Sequence, residues 1–475
     1  MDTSTNKQET AQAAVPVSHP LLAMLGILVG AFVGMLSETA LNIALPSLMT
    51  QLHVGIGTIQ WLVTGYLLVI GIVLPLSSLL ARWFTTRQLI IFALIDFIVG
   101  ATISALAPDF AVLLVGRMIQ GIATGLLLPL MFTVATLIYP PYKLGTAMGM
   151  IGLVVMFAPA IGPTLAGIIL GVLSWQWIFW AFVPFLLIAL VISIKFLPNV
   201  VEITKPKVDI LSIILSTLGF GGAVVAVSLA SDNGWLSPVV LITLVAALLI
   251  LFFYIRRQLH SQTPILNFHV FSLSHFSIGA LLIVIDFGMI ISSMYLLPMF
   301  WQKGLAVPVA LTGIVMLPGG IVNALVSAIA GRFIDQLGPR KLLIPGFLIS
   351  IIGILMLIFT STNSPMWYVI MAHVIVMIGA PLGMAPAQTY GLNALDQSTT
   401  SDGSTIMNTF QQISGAVATA VATSLLGLGQ HASTAATTSR TAFTNGVHTG
   451  LMFTLALAVI GFALSFTVKN DKHTA

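Results

Sequence analysis

Four ionisable side chains stand inside long apolar stretches of this chain: Glu38, Asp96, Arg117 and Asp286. A charge at that depth in hydrocarbon costs on the order of 3 kcal/mol or more, so each needs a partner, a water-filled cavity or a proton. Glu38 and Arg117 each lie roughly eight residues from the outer end of their stretch. At ~1.5 Å per residue both sit about 12 Å deep on the same side. A carboxylate in a low-dielectric site holds its proton unless a cation stands beside it. A Glu38–Arg117 couple that a conformational switch opens and closes would therefore load and release a proton; the competing reading is a permanent ion pair. Asp286 lies mid-stretch and fits a cation-binding group, a second proton site or a polar contact between helices. Asp96 fits a structural hydrogen bond or a contact with a nearby loop, and His373 fits a packed polar residue better than a proton relay.

Chemistry of other kinds is missing from the sequence. No GxxxxGK[ST] loop is present to hold ATP, and no His-x-x-x-His pair stands with a glutamate to hold zinc. Cysteine is absent, which excludes disulfides and thiolate nucleophiles. No selectivity-filter signature marks a channel, and no catalytic constellation marks a membrane-embedded processing enzyme. The expectation is a protein that is not an enzyme and has no metal and no cofactor, with protons as its only coupling ion.

The elements that must position these residues are membrane helices. Of 475 residues 58% are hydrophobic and 6% charged, against roughly a quarter charged in soluble domains. Thirty charges cannot cover a soluble surface of this size, so a water-soluble enzyme is excluded. The scattered cations also give no nucleic-acid signal. A spanning helix needs about 20 mostly apolar residues. Fourteen such stretches fall near 21–48, 58–80, 88–107, 110–138, 144–171, 176–197, 209–230, 236–255, 275–301, 308–331, 341–360, 366–390, 403–428 and 447–468. Pro129, Pro159, Pro163, Pro298, Pro318 and Pro386 lie within them and mark kinks, not ends. The polar start MDTSTNKQET has no signal-peptide pattern.

Charge orients the bundle. With the N-terminus inside, fourteen Lys and Arg fall in inner segments and only Lys303 and Arg440 in outer loops. This asymmetry predicts two cytoplasmic termini. The longest outer loop, residues 430–446, is rich in Ser, Thr and Ala and reads as flexible. Gly331-Arg-Phe-Ile-Asp335-Gln-Leu-Gly338-Pro-Arg340-Lys341, read as the loop after span ten, echoes Ala81-Arg82-Trp-Phe-Thr-Thr-Arg87-Gln after span two. The chain thus divides into a tail (1–20), a six-helix half (21–200), an inserted helix pair (201–262), a second six-helix half (263–468) and a short tail (469–475). Duplicated halves around a cavity are a transporter architecture.

At this point the sequence resembles the major facilitator superfamily, in its fourteen-span drug:proton antiporter branch, over essentially its whole length. Leu113-Leu-Val-Gly-Arg117-Met-Ile-Gln120-Gly121-Ile-Ala-Thr-Gly125 is similar to the family's arginine motif in the fourth span. Ala158-Pro159-Ala160-Ile161-Gly162-Pro163-Thr-Leu-Ala166-Gly167 is similar to the antiporters' glycine-proline motif, and Glu38-Thr39-Ala-Leu-Asn42-Ile-Ala-Leu-Pro46 to the branch's first-span motif. The Gly331–Lys341 stretch resembles the cytoplasmic gating motif. Its first copy has Ala81 where Asp is usual, and Gln411 stands where Arg is common in span thirteen.

The resemblance implies an all-α integral membrane bundle of two six-helix halves plus two inserted helices, monomeric and sited in the cell membrane. It implies proton coupling through Glu38, Arg117 and Asp286, with Pro159, Gly162, Pro163 and Gly167 forming a bendable contact between the halves. It implies a cytoplasmic gate of Arg82, Arg87, Gly331, Asp335, Gly338, Arg340 and Lys341. Candidate cavity residues are Asn42, Trp61, Tyr66, Gln120, Tyr295, Met299, Trp301, Phe410, Gln411 and Gln412, because aromatic and thioether surfaces suit varied lipophilic molecules. The expected function is export of amphipathic drugs or toxic compounds in exchange for protons. Export of a native metabolite, lipid or peptide is the alternative within transport. A channel or a non-transport membrane protein is the alternative outside it.

Overall fold

In a bilayer every backbone polar group must be satisfied within the chain, and long apolar segments do so by forming helices. The computed structural model describes residues 19–139, 144–200, 203, 209–261, 264–396, 399–432 and 438–469. The helices are α1 (Pro20–Gln51), a single turn α2 (Ile56–Ile59), α3 (Trp61–Trp83), α4 (Thr86–Ala105), α5 (Phe110–Ile138), α6 (Leu144–Val172), α7 (Gln176–Phe196), α8 (Ile210–Asn233), α9 (Pro238–His260), α10 (Ser274–Met299), α11 (Val309–Leu337), α12 (Pro339–Ile358), α13 (Met366–Leu392), α14 (Thr400–His431) and α15 (Ser439–Ser465). Fourteen of these are long, one for each expected span. An even number of long helices returns the chain to the side on which it began, so the start of α1 at Pro20 and the end of α15 at Ser465 share one end of the bundle. That end is the terminal end of the bundle, and the opposite one is the distal end.

Polar residues between the spans act as caps. The Asp109 carboxylate accepts from Val112 N (2.9 Å) to start α5, Ser237 caps α9, and Thr85 forms a reciprocal box with Gln88 at α4. These contacts satisfy amide groups that have no partner inside the helix. The helices run through all six prolines singled out in the sequence.

Two boundaries differ from the sequence reading. The Gly331–Lys341 stretch is not a loop. α11 continues to Leu337, Gly338 alone breaks it, and α12 begins at Pro339. Gly338 has φ +77° and ψ 158°, a combination essentially restricted to glycine, so one residue makes the corner. Nor is 430–446 mostly loop: α15 starts at Ser439, capped by Thr438. Arg440, expected in that loop, donates to the Gly304 carbonyl through Nε (3.1 Å) and Nη2 (2.9 Å). A local cap and a tertiary contact thus both hold a stretch whose composition favours a loop.

Helices α1, α3, α4, α5, α6 and α7 pack on one another, and α10 to α15 form a second group. The groups meet along α6–α11 and α3–α14. Near the distal end Thr164 Oγ1 donates to Gly313 O (2.9 Å) and Gln302 Nε2 to Ile43 O (2.9 Å). A Cβ on Gly167 would lie 2.8 Å from Gly313 Cα, so only glycine permits this approach of α6 to α11. The pair α8–α9 packs outside, with α8 against both α14 and α3.

Candidate functional site

Arg117 is fully buried on α5. Its Nε donates to the Leu62 carbonyl (3.2 Å), and its Nη1 to Ser37 Oγ (2.6 Å) and Gln120 Oε1 (3.1 Å). Its guanidinium carbon lies 4.0 Å from the centre of the Tyr66 ring, a desolvated cation–π contact. The Tyr66 hydroxyl donates to Gly34 O (2.9 Å) and stands 2.7 Å from Thr124 Oγ1. Gln120 Nε2 donates to Ser104 Oγ (2.9 Å), and Ser37 Oγ donates to Gln120 Oε1 (3.1 Å). Three residues that sequence had singled out separately thus join one network, with Ser37, Ser104 and Thr124 as members it had not named.

Glu38 does not pair with Arg117. Among the described residues the one ion pair is Arg257–Asp209. Adjacent helix residues point about 100° apart, so Ser37 turns to α5 while Glu38 turns into a cavity, where its Oε2 has no hydrogen-bond partner. The two charges remain within electrostatic reach. Depth matching from sequence brought α1 and α5 together, and in this structure Ser37 makes the hydrogen bond to Arg117 while Glu38 stands near it without one.

The cavity measures about 210 Å³ and lies between the two helix groups. One wall is Met35, Glu38 and Thr39 of α1 with Val155, Pro159 and Pro163 of α6; the other comes from α10, α11, α13 and α14. Among the described residues Glu38 is the only acid in this lining. The opposing wall carries hydrogen-bonding groups, namely Asn323, Ser327, His373, Gln388 and Gln411, among Phe287, Met294, Met316, Met377 and Met384. His373 is 2% exposed, packs edge-on against Trp301 (5.9 Å, 87°), and neither ring nitrogen has a partner.

Of the ten residues expected to line the cavity, Gln411 does so. Tyr66 and Gln120 belong to the arginine network. Asn42, Tyr295, Met299 and Trp301 are buried, and Trp61 is half-buried at the start of α3. Gln412 packs beside Gly71 on the α3–α14 seam. Phe410 lies in an aromatic cluster with Phe220, Phe268 and Phe271, at ring distances of 5.8–6.4 Å, away from the cavity. The residues missed carry a legible signal. His373, Met377, Pro381, Met384 and Gln388 fall at helical spacing along α13, as do Met316, Gly320, Asn323 and Ser327 along α11.

Asp286 is fully buried outside the cavity lining, with neither oxygen bonded and Gly383 of α13 against it. Asp96 faces the backbone of Ala123 on α5. Thr39 Oγ1 donates to the Pro159 carbonyl (3.0 Å), Gly162 lies against Thr39, and Gly167 against Gly313. The glycine-proline stripe therefore binds α6 to α1 on one side and α11 on the other. At the terminal end Arg87 Nη2 donates to the Ile194 carbonyl. Arg82 stands within electrostatic reach of Asp402 in the first turn of α14. Gly331 lies inside α11 on open space, Arg340 is half-buried and Lys341 exposed on α12. The Asp335 side chain lies outside the described residues.

Residues 27–419 match the family model of the Major Facilitator Superfamily. The chain belongs to this superfamily. It is 46% identical over 460 residues to the lincomycin resistance protein LmrB of Listeria innocua, covering 96% of this chain and 98% of that one. It is also 46% identical over 473 residues to the protein of the same name from Bacillus subtilis, covering 98% and 99%. A solved D-xylose–proton symporter superposes with a TM-score of 0.68 at 14% identity, over 95% of this chain and 98% of that one. A solved peptide transporter superposes with a TM-score of 0.66 at 16% identity, over 94% of each. These likenesses are in fold alone. The resemblance read from the four motifs holds: this is a multi-pass membrane transporter of the major facilitator fold, with relatives named for drug resistance.

Proposed function

We propose that this transporter exports amphipathic, lipophilic drugs in exchange for protons. It works by alternating access between its two helix groups, as a monomer in the cell membrane with both termini in the cytoplasm. The observation that carries the reading is Glu38, the sole carboxylate of the cavity lining among the described residues, with an unpartnered oxygen and Arg117 nearby but not bonded to it. Such a carboxylate is free to exchange a proton with whatever the cavity faces. Ionised, it is held by the Arg117 field and can accept a cationic or hydrogen-bonding group of the cargo; protonated, it releases both.

The opposing wall supports the cargo class. Flexible thioethers adapt to different lipophilic shapes, and the amides and imidazole supply hydrogen bonds. The relatives' names, lincomycin resistance proteins, support a drug as the cargo. The two-sided distribution of Lys and Arg supports the orientation. The deciding experiment is transport in proteoliposomes with an imposed pH gradient. Accumulation should follow the gradient, vanish with a protonophore and ignore ATP. With Glu38→Gln, binding should survive and gradient-driven accumulation collapse. Wild-type accumulation by well-folded Glu38→Gln protein would remove Glu38 from the coupling role.

A further inference from the structure

The inserted pair α8–α9 carries a feature that transport through the central cavity does not use. α9 turns only a narrow stripe inward, where Val240, Ala247, Tyr254 and Gln258 are buried. Gln258 Nε2 donates to Ser212 Oγ (2.7 Å) and its Oε1 accepts from Ile265 N (2.7 Å), which locks the terminal ends of both helices. The opposite side of α9 presents Phe253, Arg256, Arg257 and His260, at spacings that share one helix face. Together with Leu211 and Leu215 of α8 these residues line an open cavity of about 610 Å³.

The basic groups are arranged. Asp209 takes Arg257 in a two-point contact, Nε to Oδ2 at 2.8 Å and Nη2 to Oδ1 at 3.0 Å. This neutralises the acid, fixes the guanidinium and leaves Nη1 over. Arg256 is exposed and has no side-chain hydrogen bond or ion pair among the described residues, so it supplies the unbalanced charge. His260 donates through Nδ1 to the Arg256 carbonyl (2.8 Å), leaving Nε2. Beside these groups Leu211 and Phe253 are 50% and 55% exposed. A small anion would use the basic groups and leave the apolar wall; a phospholipid uses both.

We propose that this cavity binds an anionic phospholipid, its phosphate on Arg256 and Nη1 of Arg257 and its acyl chains along Leu211, Leu215 and Phe253. Basic groups at a membrane surface attract anionic headgroups. Because α8 also packs on α3 and α14, a lipid held here fastens the inserted pair beside the seam between the helix groups.

The test uses the purified full chain in detergent, with lipid adducts counted by native mass spectrometry. Phosphatidylglycerol and phosphatidylcholine with identical acyl chains are compared, and inorganic phosphate is the third arm. Phosphatidylglycerol should bind about fivefold to tenfold more tightly than phosphatidylcholine. Arg256→Ala should remove that preference, Arg256→Lys should restore most of it, and Lys341→Ala on α12 should leave it intact. Millimolar phosphate should not displace the lipid. Equal binding of the two lipids, a preference that survives Arg256→Ala, an equal loss in Lys341→Ala, or displacement by phosphate would each overturn the proposal. Arg256 is exposed, so its replacement leaves the packed faces intact, and thermal unfolding of each variant checks this.

Discussion

Replacing Glu38 by Gln takes a charge out of the cavity without touching any bond of the Arg117 network, and this separates two accounts of the site. Were Glu38 the partner of Arg117, its loss would strand a buried guanidinium and cost about 3–5 kcal/mol. In the structure the guanidinium donates to neutral oxygens of Leu62, Ser37 and Gln120 and lies on Tyr66. Glu38→Gln should then change stability by no more than about 1 kcal/mol, the scale of one neutral hydrogen bond. Arg117→Ala forfeits three hydrogen bonds from a charged donor at about 1.5 kcal/mol or more each and a desolvated cation–π contact of about 2 kcal/mol, at least about 6 kcal/mol together. Arg117→Lys keeps the charge and loses the planar fork, so it should fall between them, at about 2–3 kcal/mol. SDS or thermal unfolding in lipid–detergent micelles measures all three, and a double-mutant cycle of Glu38→Gln with Arg117→Lys measures their coupling. A cost for Glu38→Gln that matches Arg117→Ala, or a coupling of about 3 kcal/mol, would refute the argument and restore the ion pair.

Three further outcomes follow from the same geometry. The chain has no cysteine and a Cβ on Gly171 would touch Ala310 Cβ, so Gly171→Cys with Ala310→Cys reports the distal contact of α6 and α11; the pair should cross-link, and adding Gly167→Leu should slow it severalfold, whereas an unchanged rate would remove the close approach as the closing element. Gly338→Ala should cost about 1–3 kcal/mol of unfolding free energy because the corner needs a conformation that alanine resists; a neutral effect would show that the corner relaxes. Asn323→Ala and Gln388→Ala should each weaken drug binding by about threefold to tenfold, the worth of one neutral hydrogen bond, with the pH dependence of transport unmoved; a shifted pH profile would bring these amides into coupling.

What the sequence determined by itself is the solvent and the element. So few charges among so many apolar residues leave a bilayer as the only medium, and a bilayer leaves helices as the only local answer. Each of the fourteen stretches is a helix for that reason, and four local motifs were enough to show the family. The sequence marked Arg117 as a buried charge in need of a partner, but it placed Gln120 and Tyr66 in the substrate cavity, and only the structure brings all three together. Tertiary structure decided everything that depends on direction. One residue of helix register sent Ser37 to Arg117 and Glu38 to the cavity, and depth along an axis carries no such angle. Phe410 and Gln411 are sequence neighbours, yet one joins the aromatic cluster beside the inserted pair and the other faces the cavity. Residues 439–446 read as loop by composition, yet they form the first turns of α15, capped locally by Thr438 and tied by Arg440 to the Gly304 carbonyl on another element. Local pattern reports what medium a residue needs, and only the packing of distant helices reports which neighbour supplies it.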